Sequence, residues 1–448
     1  MFISLKNRVW ILLIFFMISE QLFSQTDDLK TNINAISFNS ILYHDEFLDE
    51  QSYIDFLREH IFSQPEFKYA SAIKNEKDLL LKSAKRERFP TLSGRVINDE
   101  SFDRNVEDKS SIRKRQDDSF DAVLEINQPL YLGGKINGQI NYAYHESTMA
   151  NVQREIATSK LILEANDIYL SAVIYFHLYQ YANELIEILE PFREKMKDRS
   201  DSGAIDPVEY AVFQAKLNKF RSSIYTLEAT SKKSLANFEN TFEKTFNFKG
   251  FPKVTIDVTD AVYREKSLEL LSKESKYLAS LENVKITKSD YRPQIGIQAR
   301  YTEYDIDKDN TDTDIRGGIY LTFPIFDFGR GKAKINASKA KAKSAHIDID
   351  IEKKSNDVTE NEIITVIESS FKANLRLKEV FEDTKKQRQI IQDRIMYSGF
   401  SASALVDASE NELIQLQMLL ESEYKLLTGY YNLLHQNRGL LNKLRFIL

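Results

Sequence analysis

The sequence predicts a mainly α-helical chain that carries a small membrane β element and is built as an internal two-fold repeat. Three observations lead there. The two halves carry the same punctuation in the same order, each half contains segments that alternate as strands do, and the rest is long helix almost free of breakers, with 14 Gly and 8 Pro in 448 residues.

The repeat is read from its motifs. Half one runs Phe89-Pro90-Thr91-Leu92, then Gln128-Pro129-Leu130-Tyr131-Leu132-Gly133-Gly134-Lys135, then Ser202-Gly203. Half two runs Arg292-Pro293-Gln294-Ile295, then Phe323-Pro324-Ile325-Phe326-Asp327-Phe328-Gly329-Arg330-Gly331-Lys332, then Ser398-Gly399. Pro129 stands 74 residues before Gly203 and Pro324 75 before Gly399, while Leu217 and Leu413 each lie 14 beyond their glycine. The chain therefore divides into an N-terminal leader at 1–24, a first repeat at 25–250 and a second at 251–448.

The leader has Lys6 and Arg8, an apolar run from Val9 to Ile18 and a polar stretch ending in Phe23-Ser24-Gln25. This is the layout of a secretory signal peptide, expected to be removed on export. Its ten apolar residues fall short of the roughly 20 that cross a bilayer as a helix. No later segment reads as a transmembrane helix, because charged residues, 29% of the chain, are spread along the helical stretches. Any crossing must then be made by strands, the other arrangement that satisfies backbone polar groups in lipid.

Four segments have the right pattern. Phe120, Ala122, Leu124 and Ile126 oppose Asp121, Glu125 and Asn127, and Ile315, Ile319, Leu321 and Phe323 oppose Arg316, Tyr320 and Thr322. Leu92 to Phe102 and Ile295 to Tyr304 form a weaker second pair, each close to the 9–11 residues of a tilted membrane strand. The polar connections, Arg104 to Ser119 and Asp305 to Asp314, suit solvent outside the cell. The second, rich in Asp, lacks the spaced glycine and terminal glutamate of a calcium loop.

Beyond each glycine turn a helix is expected to run unbroken as far as Pro191 or Gly399. Leu161, Ala165, Ile168, Ala172, Tyr175, Tyr179, Ala182, Ile186 and Leu189 recur at steps of four and three, a heptad seam, and Leu413, Leu416, Leu420, Tyr424, Leu427, Tyr431 and Leu434 nearly repeat it. If continuous through Pro191, from Gly134 to Ser202, such a helix spans roughly 100 Å. Four strands cannot close a barrel, since the smallest membrane barrels have about eight. Strands must be pooled between copies.

Other function classes find little support. The chain has no cysteine, which removes disulfides, thiolate metal sites and an N-terminal lipidated cysteine. A net charge of −6 with interleaved signs gives no nucleic-acid footprint. His44, His60, His145, His177, His346 and His435 are scattered without ligand or triad spacing, so neither an enzyme nor a cofactor or metal site is expected. A periplasmic structural coiled coil without a channel would share the heptads but would need no alternating strands.

The proline-bounded strand pairs, the two glycine turns, the Ser-Gly helix tips and the opening Gln64-Pro65-Glu66-Phe67 together resemble the TolC family of outer-membrane efflux proteins across about residues 45 to 445. The resemblance implies a homotrimer with a twelve-stranded β-barrel, four strands per chain, continued by a long α-helical coiled-coil tunnel in the periplasm. It further implies an outer-membrane lipid environment and work as the exit duct of a tripartite efflux pump or a type I secretion system. The implied partners are a periplasmic adaptor protein and, through it, an inner-membrane pump or transporter ATPase. The exported substrate stays open, and residues 26 to 45 have no counterpart in the family pattern.

The same resemblance implies that the hairpin tips, Ser202, Gly203 and Ala204 in half one and Ser398, Gly399 and Phe400 in half two, meet the adaptor. Acidic residues just beyond the second tip ring the narrow entrance in such channels. Here Leu405-Val406-Asp407-Ala408 makes Asp407 the candidate, with Asp206 and Glu209 in comparable places in half one. The family's other acidic position falls near Leu405. Asp206, before Pro207, can equally be a helix cap, with the acids favoured there by the helix dipole.

Overall fold

The computed structural model describes residues 36–37, 50–100, 118–246, 250–252, 254–256, 266–307, 312–395 and 401–444. In chain order these form β1 (Ile36–Ser37), α1 (Glu50–Ser63), α2 (Pro65–Arg86), β2 (Thr91–Glu100), β3 (Asp118–Leu132), α3 (Lys135–Asp201) and α4 (Pro207–Phe242). There follow β4 (Thr255–Ile256), α5 (Leu268–Ser289), β5 (Gln294–Tyr304), β6 (Asp312–Thr322), α6 (Arg330–Arg394), α7 (Ala402–Gln436) and α8 (Gly439–Lys443). The residues cluster into two compact units, and each unit draws on both sequence repeats: 69–154 with 269–353, and 1–68 with 155–268 and 354–448.

The unit made of 69–154 and 269–353 contains the sheet. Its four strands are antiparallel in the order β2-β3-β5-β6, so β3 of the first repeat hydrogen-bonds β5 of the second. The register puts Leu92 opposite Ile126, Ile126 opposite Ala299, Tyr301 opposite Ile315 and Ile297 opposite Ile319. Directly opposed residues share a face, so all four apolar rows fall on one side of the sheet. β3 is longer than the sequence suggests. It runs through Pro129, which stands opposite Gly296, to Leu132, with Leu130 the extra residue of a bulge before Tyr131.

The helices that flank the strands keep the same lateral order. Ser147 of α3 donates to Asp78 of α2 at 2.6 Å. Lys135 of α3 pairs with Asp290, just past α5, at 3.0 Å, and Gly138 lies so close to Ile286 of α5 that a Cβ there would stand 2.9 Å from its side chain. Lys276 of α5 reaches Asp348 of α6 at 3.5 Å, with Tyr277 against His346 at 5.0 Å between rings. The order α2-α3-α5-α6 matches β2-β3-β5-β6.

The other unit holds the main core. Ala165, Ala172, Ala182 and Leu189 of the α3 seam are buried, and Leu161, Ile168, Tyr175, Tyr179 and Ile186 are half-buried against the core. A second row, including Ile162, Tyr169, Val173, Leu178 and Leu185, is more deeply buried than half the seam. α3 is therefore covered over a wide arc rather than along one line. One stretch of it is long and apolar enough to cross a membrane by composition, against the expectation that no helix would be, and half of that stretch is buried as core. The α7 seam is buried at Leu413, Leu416, Leu420, Leu427, Tyr431 and Leu434.

α1 closes one end of this core. Its Tyr53 donates to Asn166 at 2.8 Å, and its Phe56 ring stacks on Phe242 at 4.6 Å. β1 pairs antiparallel with β4, Ile36 opposite Ile256, so part of the 26–45 stretch adds a strand to the second repeat. α3 continues through Pro191 to Asp201, further than the proline suggests.

Between α6 and α7 the contacts are unusually polar. Arg388 donates through Nε to Glu412, which also accepts from Tyr181 of α3; Glu412 is fully buried and Arg388 nearly so. Asn374 donates to Ser422 at 2.9 Å, and Asn356 accepts from Gln436 at 2.8 Å. Burial first, then the hydrogen bond to Glu412, holds the Tyr181 phenol well above its ordinary value of 10.0. It stays a donor in neutral solution. Removing one partner of a buried ion pair strands the other charge, at a cost of about 3–5 kcal/mol, whereas replacing both by apolar residues is often neutral. Glu412→Leu is thus expected to lower the thermal unfolding midpoint sharply, and Arg388→Met with Glu412→Leu to recover most of the loss; a double variant no better than the single would contradict the pairing.

Candidate functional site

The sheet separates two chemistries. On the apolar face Leu92, Val96, Leu124, Ile126, Ile315 and Ile319 are 47–78% exposed, far more than a water-facing surface tolerates in one continuous patch. On the opposite face Glu125 accepts from Gln298 at 2.7 Å and from Arg300 at 3.4 Å, Tyr320 donates to Asn127 at 3.1 Å, and Arg316 pairs with Asp314 at 2.6 Å. Gly296 is required here, because the Tyr320 ring crosses its Cα and a Cβ would stand 2.3 Å from the phenol oxygen. Gln298, Arg300, Arg316 and Tyr320 line an open concavity of about 310 Å³ on this polar side. β2 and β6 are the edges, each with one side of its backbone without a strand partner among the described residues.

At the far ends of the long helices, Ser202, Gly203 and Ala204 form the exposed tip between α3 and α4. Gly203 has φ +74°, the left-handed conformation that a glycine after a helix supplies without strain, and the Ala204 amide donates back to Arg199 at 2.8 Å. Asp206 is the N-cap of α4: its carboxylate accepts from the Val208 amide at 2.8 Å, with Pro207 in the first helical position and Glu209 in the first turn. The capping role that the Asp-Pro pair suggests is present in the structure. Ser398, Gly399 and Phe400 lie outside the described residues. Ser401 caps α7, and Asp407, half-exposed in its second turn, pairs with Lys216 of α4 at 2.5 Å. Lys219 and Glu410 repeat the contact at 2.9 Å.

The lysines opposite Asp407 and Glu410, and the Arg388–Glu412 pair, are not foreseen from the sequence. Each joins helices that are far apart in sequence or meets across a hairpin, and spacing within one helix carries no trace of that. Glu412, standing beside Leu413 at the start of the α7 seam, is the one visible signal. Among the described residues no three His, Cys, Asp or Glu side chains gather as metal ligands. The histidines have separate surroundings: His435 with Ser159 at 2.6 Å, His60 beside Gln64 and Phe242, His346 against Tyr277. Burial lowers the pKa of His60. Residues 308–311 of the acidic connection lie outside the described residues.

No protein-family model matches the chain, and no curated protein matches it significantly. Solved structures do. The CmeC outer membrane channel of Campylobacter jejuni is similar with a TM-score of 0.76 at 13% identity, over 92% of this chain and 95% of that one. The outer-membrane channel OprN has a TM-score of 0.73 at 16% identity, over 92% and 97%. The open state of the Neisseria gonorrhoeae MtrE outer membrane channel has 0.70 at 12%, over 91% and 96%. The chain has the fold of these outer-membrane channels, from the four-stranded sheet to the long paired helices.

Proposed function

We propose that the chain is one subunit of a TolC-like outer-membrane channel that serves as the exit duct of a tripartite efflux pump or a type I secretion system. The observation that carries this reading is the sheet: one continuous apolar face, one polar face and two open edges. Lipid accepts the first and water the second, and in lipid the third must be closed by further strands. Three copies pooled edge to edge give twelve strands, enough to close a barrel around water. The fold shared with outer-membrane channels over about nine-tenths of the chain supports the same reading. The helices then lie in the periplasm, and the tips at Ser202–Ala204 and Ser398–Phe400 meet a periplasmic adaptor that couples the duct to an inner-membrane pump or transporter ATPase.

At the entrance Asp407 is the candidate acid, with Asp206 and Glu209 nearby in sequence role. Lys216 offsets Asp407, so a ring of three would be a weak negative constriction rather than a strong one. Two experiments test the reading. Single cysteines at Ser110 and Asp309, in the two polar connections, are expected to react with an impermeant maleimide in intact cells; labelling only after lysis would reverse the topology. In planar bilayers the channel is expected to be cation-selective and blocked by multivalent cations, with Asp407→Asn relieving the block, and an unchanged block in that variant would remove Asp407 from the constriction.

A further inference from the structure

Every junction between sheet and helix carries cations. At the end of α2 stand Lys85, Arg86 and Arg88, near the end of α5 Lys288 and Arg292, and at the start of α6 Arg330, Lys332 and Lys334. These residues lie at the same end of the β2-β3-β5-β6 sheet, because each of the four helices joins its strand there. Lys85, Arg86, Lys288, Arg330, Lys332 and Lys334 form no ion pair among the described residues, and all but the half-buried Lys288 are exposed. The opposite end of the sheet is acidic, with Asp99, Asp121, Glu303, Asp305, Asp312 and Asp314. The membrane sheet is thus charge-polarised from end to end.

Apolar groups sit beside the basic junction. Ile325, Phe326 and Phe328 are 88%, 74% and 90% exposed, and the two rings meet edge to face at 4.5 Å. Phe328 holds φ +55°, which a bulky residue adopts only when its surroundings impose it. The cause is Asp327, whose carboxylate accepts from the Gly329 and Gly331 amides at 3.0 and 2.5 Å and so fixes the turn that opens α6. Phenyl rings protruding at the limit of an apolar band, with Arg330 two residues beyond Phe328 and four beyond Phe326, match the boundary between acyl chains and headgroups.

We infer that this collar binds the phosphates of anionic phospholipid headgroups in the leaflet on the helical side of the membrane. The occupant follows from charge and continuity. Cations without ion-pair partners among the described residues lie at the end of a sheet whose one face is apolar and exposed, and Lys or Arg near a membrane surface attracts anionic headgroups. The inference rests on the membrane-channel reading. It assigns Arg330, Lys332 and Lys334 to headgroup contact and Phe326 and Phe328 to the interface above them.

The test uses the full-length detergent-purified protein, reconstituted into phosphatidylcholine vesicles with or without phosphatidylglycerol, and native mass spectrometry of the lipids it retains. Wild type is expected to prefer phosphatidylglycerol over phosphatidylcholine, with inorganic phosphate failing to compete. Lys85→Gln, Arg86→Gln, Arg330→Gln, Lys332→Gln and Lys334→Gln combined should weaken that preference about tenfold or more, as expected for several near-surface cations. Five matched changes at Lys353, Lys354, Lys372, Lys385 and Lys386, farther along α6, should leave it unchanged. Equal retention of both lipids by wild type, equal loss in both variants, or displacement by inorganic phosphate would overturn the inference while the protein still incorporates. Failure to incorporate into either vesicle would overturn the membrane reading itself.

Discussion

The backbone of an edge strand sets the terms for the whole sheet. Among the described residues of one copy β2 and β6 each leave a row of N–H and C=O groups without strand partners. In lipid each such group costs several kcal/mol. The apolar face fits nowhere but lipid or another protein surface, so the edges must be closed by neighbouring strands. Pooling copies is the solution that serves both constraints at once, and the twelve-stranded barrel of the proposed channel is its smallest three-fold form.

The helices inherit their arrangement from the strands. Because each strand passes into a helix within a few residues, α2, α3, α5 and α6 stand side by side in strand order, fixed by contacts such as Ser147–Asp78, Lys135–Asp290 and Lys276–Asp348. Close approach depends on small residues, as at Gly138 beneath Ile286. In the helical core the α6–α7 hairpin combines apolar packing at Ile367, Phe381, Ile391 and Ile395 with buried polar pairs. Polar pairs specify register better than they add stability, since sliding one helix along the other would strand Arg388 and Glu412 together.

Periodicity made much of this legible. Alternation located all four strands to within a few residues, because a period of two with one apolar face is the pattern of a strand buried on one side. It did not give their order: β3 next to β5 depends on contacts between residues more than 160 apart. The bulge at Pro129 hid the last turn of β3, since proline reads as a stop unless a partner strand accommodates it. The α3 seam located one buried row and missed the row at Ile162, Tyr169 and Val173, which faces neighbours the heptad pattern does not encode. At the helix tips, Asp206 before Pro207 announced its cap, whereas Lys216 opposite Asp407 depends on how α4 and α7 align.

In the proposed channel one copy of the sheet is incomplete and three complete it. Native mass spectrometry of the detergent-extracted protein measures this directly. A single species at three times the mass of one chain is expected, converted to the monomer only on heating in denaturing detergent. A stable monomer that stays soluble after the detergent is removed would contradict this, since the exposed apolar face would then be compatible with water.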